Sequence, residues 1–199
     1  MPWTCVLLVA TDQASLSLRR YASKSSCVMS GMGIHNAKTL IGTAPIVVSE
    51  RGTWDVEEVK QPSDTDPRWP KRCACGYEFA AEDAYQLSKS RLYRREDTGA
   101  LLTLAEAEPG MLWDAPWFLG FNPPWAGPDG RSLVMRLPGQ GEWTIDGPAT
   151  NGPGWERTGV PPKITARPSI LSHGSGGVKG YHGWLTDGVL SDDLEGRTY

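Results

Sequence analysis

The sequence predicts a mainly β fold with at most one short helix, built as a single compact domain of short antiparallel strands joined by long Gly-, Pro- and Trp-rich loops. Three observations predict it. Glycine and proline contribute 23 and 16 of the 199 residues, well above average usage, so many short elements joined by turns are expected rather than long helices. Apolar and polar residues alternate weakly over short stretches, the period of a half-buried strand, and helical periodicity is confined to one segment. Nine of the aromatic residues are tryptophan, spread from Trp3 to Trp184. Wide rings with one N–H donor suit a shallow core or a buried contact surface, and core volume is the plainer use. The length suffices for one core without covalent staples.

Residues 4–21 set Leu16 and Leu18 on one face and Ser15, Ser17 and Arg19 on the other, and read as a β-hairpin turning at residues 11–14. Residues 27–36 are glycine-rich and irregular, and residues 39–48 are apolar and β-branched enough for another strand. Residues 50–70 carry charge and prolines without a sustained period. They read as a connection within the domain, since Trp54 and Trp69 call for burial. Residues 80–87 hold the one fair helix signal, with Glu82 and Asp83 near its start, where carboxylates complement the helix dipole. Residues 92–95 and 101–104 flank Asp97-Thr98-Gly99, whose glycine suits a three-residue hairpin loop.

Between 111 and 125, five aromatic residues stand among Pro116, Pro123 and Pro124. That mixture resists both helix and central strand and predicts a packed, irregular aromatic loop. A second hairpin runs through 133–137, turns at 138–141 and returns over 143–145. Residues 151–162 are glycine and proline again. Residues 163–171 and 181–185 make a last strand pair around a flexible, glycine-rich segment at 172–180.

The net charge of −3 gives no global attraction for phosphate backbones, so nucleic acid is not an expected partner. The best local patch, Lys89 with Arg91, Arg94 and Arg95, is closed at once by Glu96 and Asp97 and reads as a solvated strand face. No run approaches the ~20 apolar residues of a membrane-spanning helix, and no membrane association is expected. The apolar residues 5–10 lack the basic flank and cleavage site of a signal peptide, so nothing marks the chain for export. Four unevenly spaced cysteines make a poor disulfide framework, and reduced thiols in a cytoplasm fit them better.

The chemistry-bearing motif is Cys73-Ala74-Cys75-Gly76. Thiolates at C-x-C or C-x-x-C spacing supply two ligands of a tetrahedral structural zinc site, and a following glycine lets the backbone fold round them. C-x-C is the tighter and less common spacing. Cys27 and His35 lie eight apart in one glycine-rich loop and can approach as a pair, closing a Cys3His site of Cys27, His35, Cys73 and Cys75. Cys5 sits in an apolar strand and reads as a small core residue. The competing reading is that the thiols are merely buried or idle.

His182, between Tyr181 and Trp184, is the other candidate. A catalytic histidine needs a nucleophile, a metal or a carboxylate within hydrogen-bond reach. Ser172, His173, Ser175 and Asp187 are the available helpers, but they form no recognisable motif, and a structural histidine is the simpler reading. The glycines at 174, 176, 177 and 180 lack the lysine-serine ending and following helix of a phosphate loop. Glu57-Glu58 and Asp192-Asp193 are adjacent in sequence and would face opposite ways on a strand, which makes them poor acid–base pairs.

Several phrases, taken together, resemble a family of uncharacterised proteins encoded mostly in tailed phages, prophages and their bacterial hosts. They are the Cys27 loop ending in His35-Asn36-Ala37, Asp66-Pro67-Arg68-Trp69-Pro70 and Cys73-Ala74-Cys75-Gly76-Tyr77. Further on come Pro109-Gly110-Met111-Leu112-Trp113-Asp114, Gly127-Pro128-Asp129-Gly130-Arg131, Trp143-Thr144-Ile145-Asp146-Gly147, Gly159-Val160-Pro161-Pro162 and Tyr181-His182-Gly183-Trp184-Leu185. The resemblance spans residues 27–190 and concerns one whole domain. Its members have no established activity and usually carry further cysteines in the C-terminal third, where residues 154–159 and 167–177 of this chain have none. It therefore implies one structural metal site near the N-terminal half. The expectation is a non-enzymatic structural protein of the virion, made in the host cytoplasm and bound to other phage structural proteins in a symmetric capsid or tail assembly. The alternatives are a metal-dependent enzyme or phage-encoded effector using His182, and a nucleic-acid-binding zinc module.

Overall fold

The protein is seen here as a computed structural model, which describes residues 1–23, 26–27, 33–49, 54–56, 59–149, 152, 154–174 and 179–199. It is mainly β, as its composition predicts. In chain order the strands are β1 (Trp3–Thr4), β2 (Val6–Ala22), β3 (His35–Pro45), β4 (Val47–Val48), β5 (Trp54–Asp55), β6 (Ala84–Arg95) and β7 (Leu101–Thr103). There follow β8 (Met111–Asp114), the short α-helix α1 (Trp117–Phe121), β9 (Leu133–Arg136), β10 (Glu142–Thr144), β11 (Glu156–Val160), β12 (Lys163–Ser172), β13 (Tyr181–Thr186) and β14 (Val189–Leu190). The chain divides into two compact units, Met1–Ala10 with Tyr93–Tyr199, and Thr11–Leu92.

In the first unit, β11 to β14 and β1 form an antiparallel sheet ordered β1-β14-β13-β12-β11. On β13 the side chains alternate, with Tyr181, Gly183 and Leu185 buried and His182, Trp184 and Thr186 facing out. That period of two decides which residues reach the core. A second set runs β10-β9-β8-β2, in which Val6 to Leu8 pair parallel to Met111 to Trp113, a departure from the all-antiparallel expectation. The main core gathers Leu112, Leu133, Met135, Ile145, Ile164, Ile170, Tyr181 and Leu185, and a second cluster gathers Leu8, Tyr93, Met111 and Trp113. In the second unit, β3 pairs antiparallel with β2 from Ala22↔His35 to Gln13↔Pro45, with one register shift between Leu16 and Ser17. Ala14, Leu16 and Val56 form one small core there.

Four expectations are corrected. Residues 11–14 do not turn, because β2 runs unbroken from Val6 to Ala22; Thr11-Asp12-Gln13-Ala14 has no glycine to complete a tight hairpin turn, and Ala14, Leu16 and Leu18 are all buried. Residues 80–87 are not helical. Asp83 accepts hydrogen bonds from the Ala80 N–H at 2.8 Å and the Tyr77 hydroxyl at 3.0 Å, a local side-chain bond that makes a turn rather than a helix start, and β6 begins at Ala84. Met111–Asp114 is a fully paired strand between β2 and β9, since its prolines, Pro109 and Pro116, fall outside it, and α1 follows with Pro116 at its N-cap. Residues 156–160, within a stretch read as glycine and proline, form β11, paired with β12 in regular register.

Other readings agree with the structure. The Arg95 N–H donates to the Ala100 carbonyl at 2.9 Å and Gly99 takes φ 75°, which closes the β6–β7 hairpin. The β9–β10 hairpin and the β12–β13 pair are antiparallel. Trp69 is buried, and so is Cys5, whose thiol burial pushes up to about 12. Along the basic strand, Lys89 pairs with Asp55 at 2.6 Å, Arg95 with Asp97 at 2.8 Å, and Arg91 donates to the Thr11 carbonyl. Half of that patch, Lys89 and Arg95, is thus matched locally by carboxylates, in keeping with a solvated face.

The segment after β14 is held by one carboxylate. Asp193, with a side chain that is 0% exposed, accepts from the backbone N–H groups of His182 and Glu195 at 2.9 and 2.8 Å, from Arg197 Nη1 at 3.0 Å and from the Tyr199 hydroxyl at 2.6 Å. Burial alone would raise its pKa, but the bonds from Tyr199, His182, Arg197 and Glu195 outweigh it and hold Asp193 well below the usual carboxylate range. A depressed carboxylate contributes stability that is present above its unfolded pKa and is lost as pH falls through the folded one. Asp193→Asn should therefore cost about 2 kcal/mol at neutral pH and speed tryptic cleavage after Arg197, while at strongly acidic pH mutant and parent converge. Equal cleavage rates at pH 7 would contradict this account.

Candidate metal centre

The four predicted ligands meet. Cys27, His35, Cys73 and Cys75 place their ligand atoms all within 4.8 Å of one another, so the cluster could hold a metal ion. Cys27, His35 and Cys73 are buried and Cys75 is half-buried. The Sγ atoms of Cys27 and Cys73 are 3.8 Å apart, and His35 Nδ1 is 3.1 Å from Cys75 Sγ.

Local sequence explains each placement. Residues 71–79 form a tight hairpin in which Arg72 bridges Glu78, the Cys73 N–H donates to the Tyr77 carbonyl at 2.9 Å, and the Gly76 N–H donates back to the Cys73 carbonyl at 2.9 Å. Gly76 takes φ 93°, which a β-carbon would strain, and so the glycine after the second cysteine is a conformational requirement. This fold turns both thiols the same way despite their odd spacing. Cys27 is brought in by its N–H bond to the Gly33 carbonyl at 2.8 Å, and His35 is the first residue of β3, opposite Ala22 of β2. The intervening residues 28–32 of that loop lie outside the described residues.

The surroundings are apolar and orienting. Ala22 and Phe79 pack with the buried thiols, and the Tyr77 ring stacks on His35 with centroids 4.0 Å apart and planes 9° from parallel. The Tyr77 hydroxyl ends on Asp83, as given above, so the ring that steadies the histidine is itself anchored at both ends. Hydrogen bonds to the thiolate, led by the Cys75 backbone N–H, hold Cys73 at about 6, which favours the anionic form that metals bind. The Tyr77–Asp83 support carries no ligand spacing, and sequence reasoning missed it; the only sequence signal for it was the YEF aromatic turn directly after the motif.

The other predicted candidates do not converge. The His182 ring faces outward, with Nδ1 3.3 Å from Glu195 Oε1, and its backbone is tied to Asp193. His173 follows β12 and is exposed. Asp187 lies five residues beyond His182 on the same hairpin, roughly 16 Å along an extended chain, where its N–H bonds to Thr165 Oγ1. Ser172 is a strand residue paired with Tyr181. Asp192 pairs with the N-terminal ammonium and Asp193 is structural. Ser175, Gly176, Gly177, Glu57 and Glu58 lie outside the described residues. No described helix is long and apolar enough to cross a membrane.

What fold and site define together is a β-rich protein with a candidate Cys3His metal cluster. No family model, curated protein or solved structure matches the chain.

Proposed function

We propose that this chain is a non-enzymatic structural protein of tailed phages or prophages, stapled by a structural zinc ion and held in a capsid or tail assembly by its Trp- and Pro-bearing surface. The observation that carries the reading is the closed ligand set. Four protein ligands leave no open coordination position, which separates structural from catalytic zinc sites. Ideal tetrahedral zinc sets sulfur atoms about 3.8 Å apart and sulfur and nitrogen about 3.6 Å apart. The Cys27–Cys73 separation already has that value, and the His35–Cys75 pair needs to open by about half an ångström.

The virion role rests on the sequence resemblance and on exposed aromatic residues such as Trp117, Phe121 and Trp184, the residue types that anchor protein interfaces. The protein would be made in the host cytoplasm and end in the particle. Two measurements test the two parts. Metal analysis of purified protein should find close to one zinc per chain, and less than about a fifth of an equivalent removes the staple. Mass spectrometry should find the protein in purified virions; its presence in infected cells and absence from particles would overturn the structural role.

A further inference from the structure

The cluster of Cys27, His35, Cys73 and Cys75 carries a second chemistry besides metal binding. The sulfurs of Cys27 and Cys73 are 3.8 Å apart, which suits two ligands of one ion and also places them close to bonding distance. A covalent S–S bond is about 2.0 Å long, so a further approach of roughly 1.8 Å joins them. Cys75 is less suited to form such a bond. Its Sγ meets His35 Nδ1 at 3.1 Å, and a link to Cys73 would close a ring over Ala74 alone, a span that rarely meets disulfide geometry. Cys27 and Cys73 are 46 positions apart in the chain, so a bond between them ties together the same segments that a metal ion ties.

Burial decides how that bond would form and last. Cys75 is half-buried, so a small oxidant reaches the cluster from its side. Cys27 and Cys73 are only 4% and 6% exposed and pack with Ala22 and Phe79. A disulfide there is shielded from bulky thiol reductants, because exchange needs access to one of its sulfurs.

We propose that Cys27 and Cys73 form a disulfide when the protein meets a hydroperoxide, and that this bond displaces the metal as the staple. Hydrogen peroxide oxidises one thiolate of the pair to a sulfenic acid and leaves as hydroxide. The second thiolate attacks that sulfur, the S–S bond forms and a second hydroxide departs. Two electrons pass from the sulfur pair to the peroxide, water protonates neither product further than the buffer requires, and Zn²⁺, left with His35 and Cys75, dissociates into solution. The displacement rests on the zinc and virion reading given above. A cytoplasm keeps thiols reduced, whereas a released particle meets an oxidising exterior, and one set of side chains serves in both.

The test treats the reduced, zinc-loaded protein with hydrogen peroxide, alkylates the remaining thiols and digests with trypsin. Cys27 falls in peptide 25–38, and Cys73 and Cys75 in peptide 73–89. The two peptides should be recovered joined, with fragmentation placing the link on Cys73 and the alkyl group on Cys75. A chromogenic chelator should read about one zinc released per link formed. Removing zinc by chelation under reducing conditions should lower hydrogen-exchange protection across residues 33–48 and 71–92 by about a hundredfold or more, while the oxidised protein should stay within about threefold of the zinc form. Sulfinic or sulfonic acid in place of a link, a bond that uses Cys75, or loss of protection on oxidation would each overturn the proposal. Protein that purifies without zinc and still forms the Cys27 to Cys73 link would sink the metal staple and leave the disulfide standing; one equivalent of zinc with no link would do the reverse.

Discussion

Replacing Cys73 by serine should empty the proposed zinc site and loosen the described residues of 27–92. Cys73 is its central ligand: its sulfur lies 3.8 Å from that of Cys27, and its hairpin also presents Cys75. A structural zinc ion contributes on the order of 10 kcal/mol to the folding of small zinc modules, because the site does not exist in the unfolded chain. Among the described residues, the unit that would hold it has small apolar clusters, one of them built around the cysteines themselves, so little else replaces the loss. Bound zinc should fall from near one equivalent to below about a fifth, and backbone amides from 33 to 48 and 71 to 92 should lose at least about 3 kcal/mol of exchange protection. Serine is close in size to cysteine, so lost packing alone cannot produce so large an effect. Hydrogen exchange read by mass spectrometry, alongside metal analysis, makes the check. A variant that matches the parent in protection would mean that the thiols only pack.

Arg157→Ala should be the most damaging substitution in the other unit, at about 3–5 kcal/mol by denaturant unfolding. The guanidinium bridges Asp146, whose side chain is 4% exposed, and Asp129, which is one-third exposed. Asp146 also accepts the Leu133 N–H at 2.9 Å, so the bridge joins β9, the 127–131 turn and β11. Truncation strands a buried carboxylate, which costs far more than the pair itself is worth. Gly127 belongs to the same device, because a β-carbon there would fall inside the contact shell of Arg157 Nη2 and Asp146 Oδ1. The hydrogen bond from Arg157 holds Asp129 below its ordinary pKa. That stabilisation is full above the unfolded pKa of about 3.9 and is lost as pH falls through the folded value. The mutant's deficit should accordingly shrink below pH 4. A deficit under about 1 kcal/mol at neutral pH would show that the bridge is not what orders the turn.

The fold class was legible because turn residues and short alternations are local signals, and so were the hairpins at Asp97-Thr98-Gly99 and at residues 138–141. The candidate ligands were legible for a chemical reason: few residue types bind zinc, and this chain has few of each. What misled was composition read without partners. Residues 111–125 look like a loop because of their prolines, yet Met111–Asp114 lies between β2 and β9, a pairing that no local period reveals. The weak pattern of β2 suggested a turn, while the pairing of Gln13 to Ala22 with β3, interrupted only by the shift at Leu16/Ser17, keeps it extended. Asp83 looked like a helix-capping carboxylate until the Tyr77 hydroxyl and Ala80 N–H claimed it.

By itself the sequence determined that this is a turn-rich β protein without a helical span, and which four side chains offer metal-binding chemistry. Both follow from residue type and near-neighbour spacing, which do not depend on the rest of the chain. Only the tertiary structure decided that Cys27 and His35 reach Cys73 and Cys75 across about forty residues, and that Tyr77 and Asp83 steady them. It also decided that the His182 ring meets Glu195, and that Arg157 is buried between Asp129 and Asp146. Those are long-range pairings, set by the register of strands and the closing of loops, and no local stretch of sequence encodes them alone.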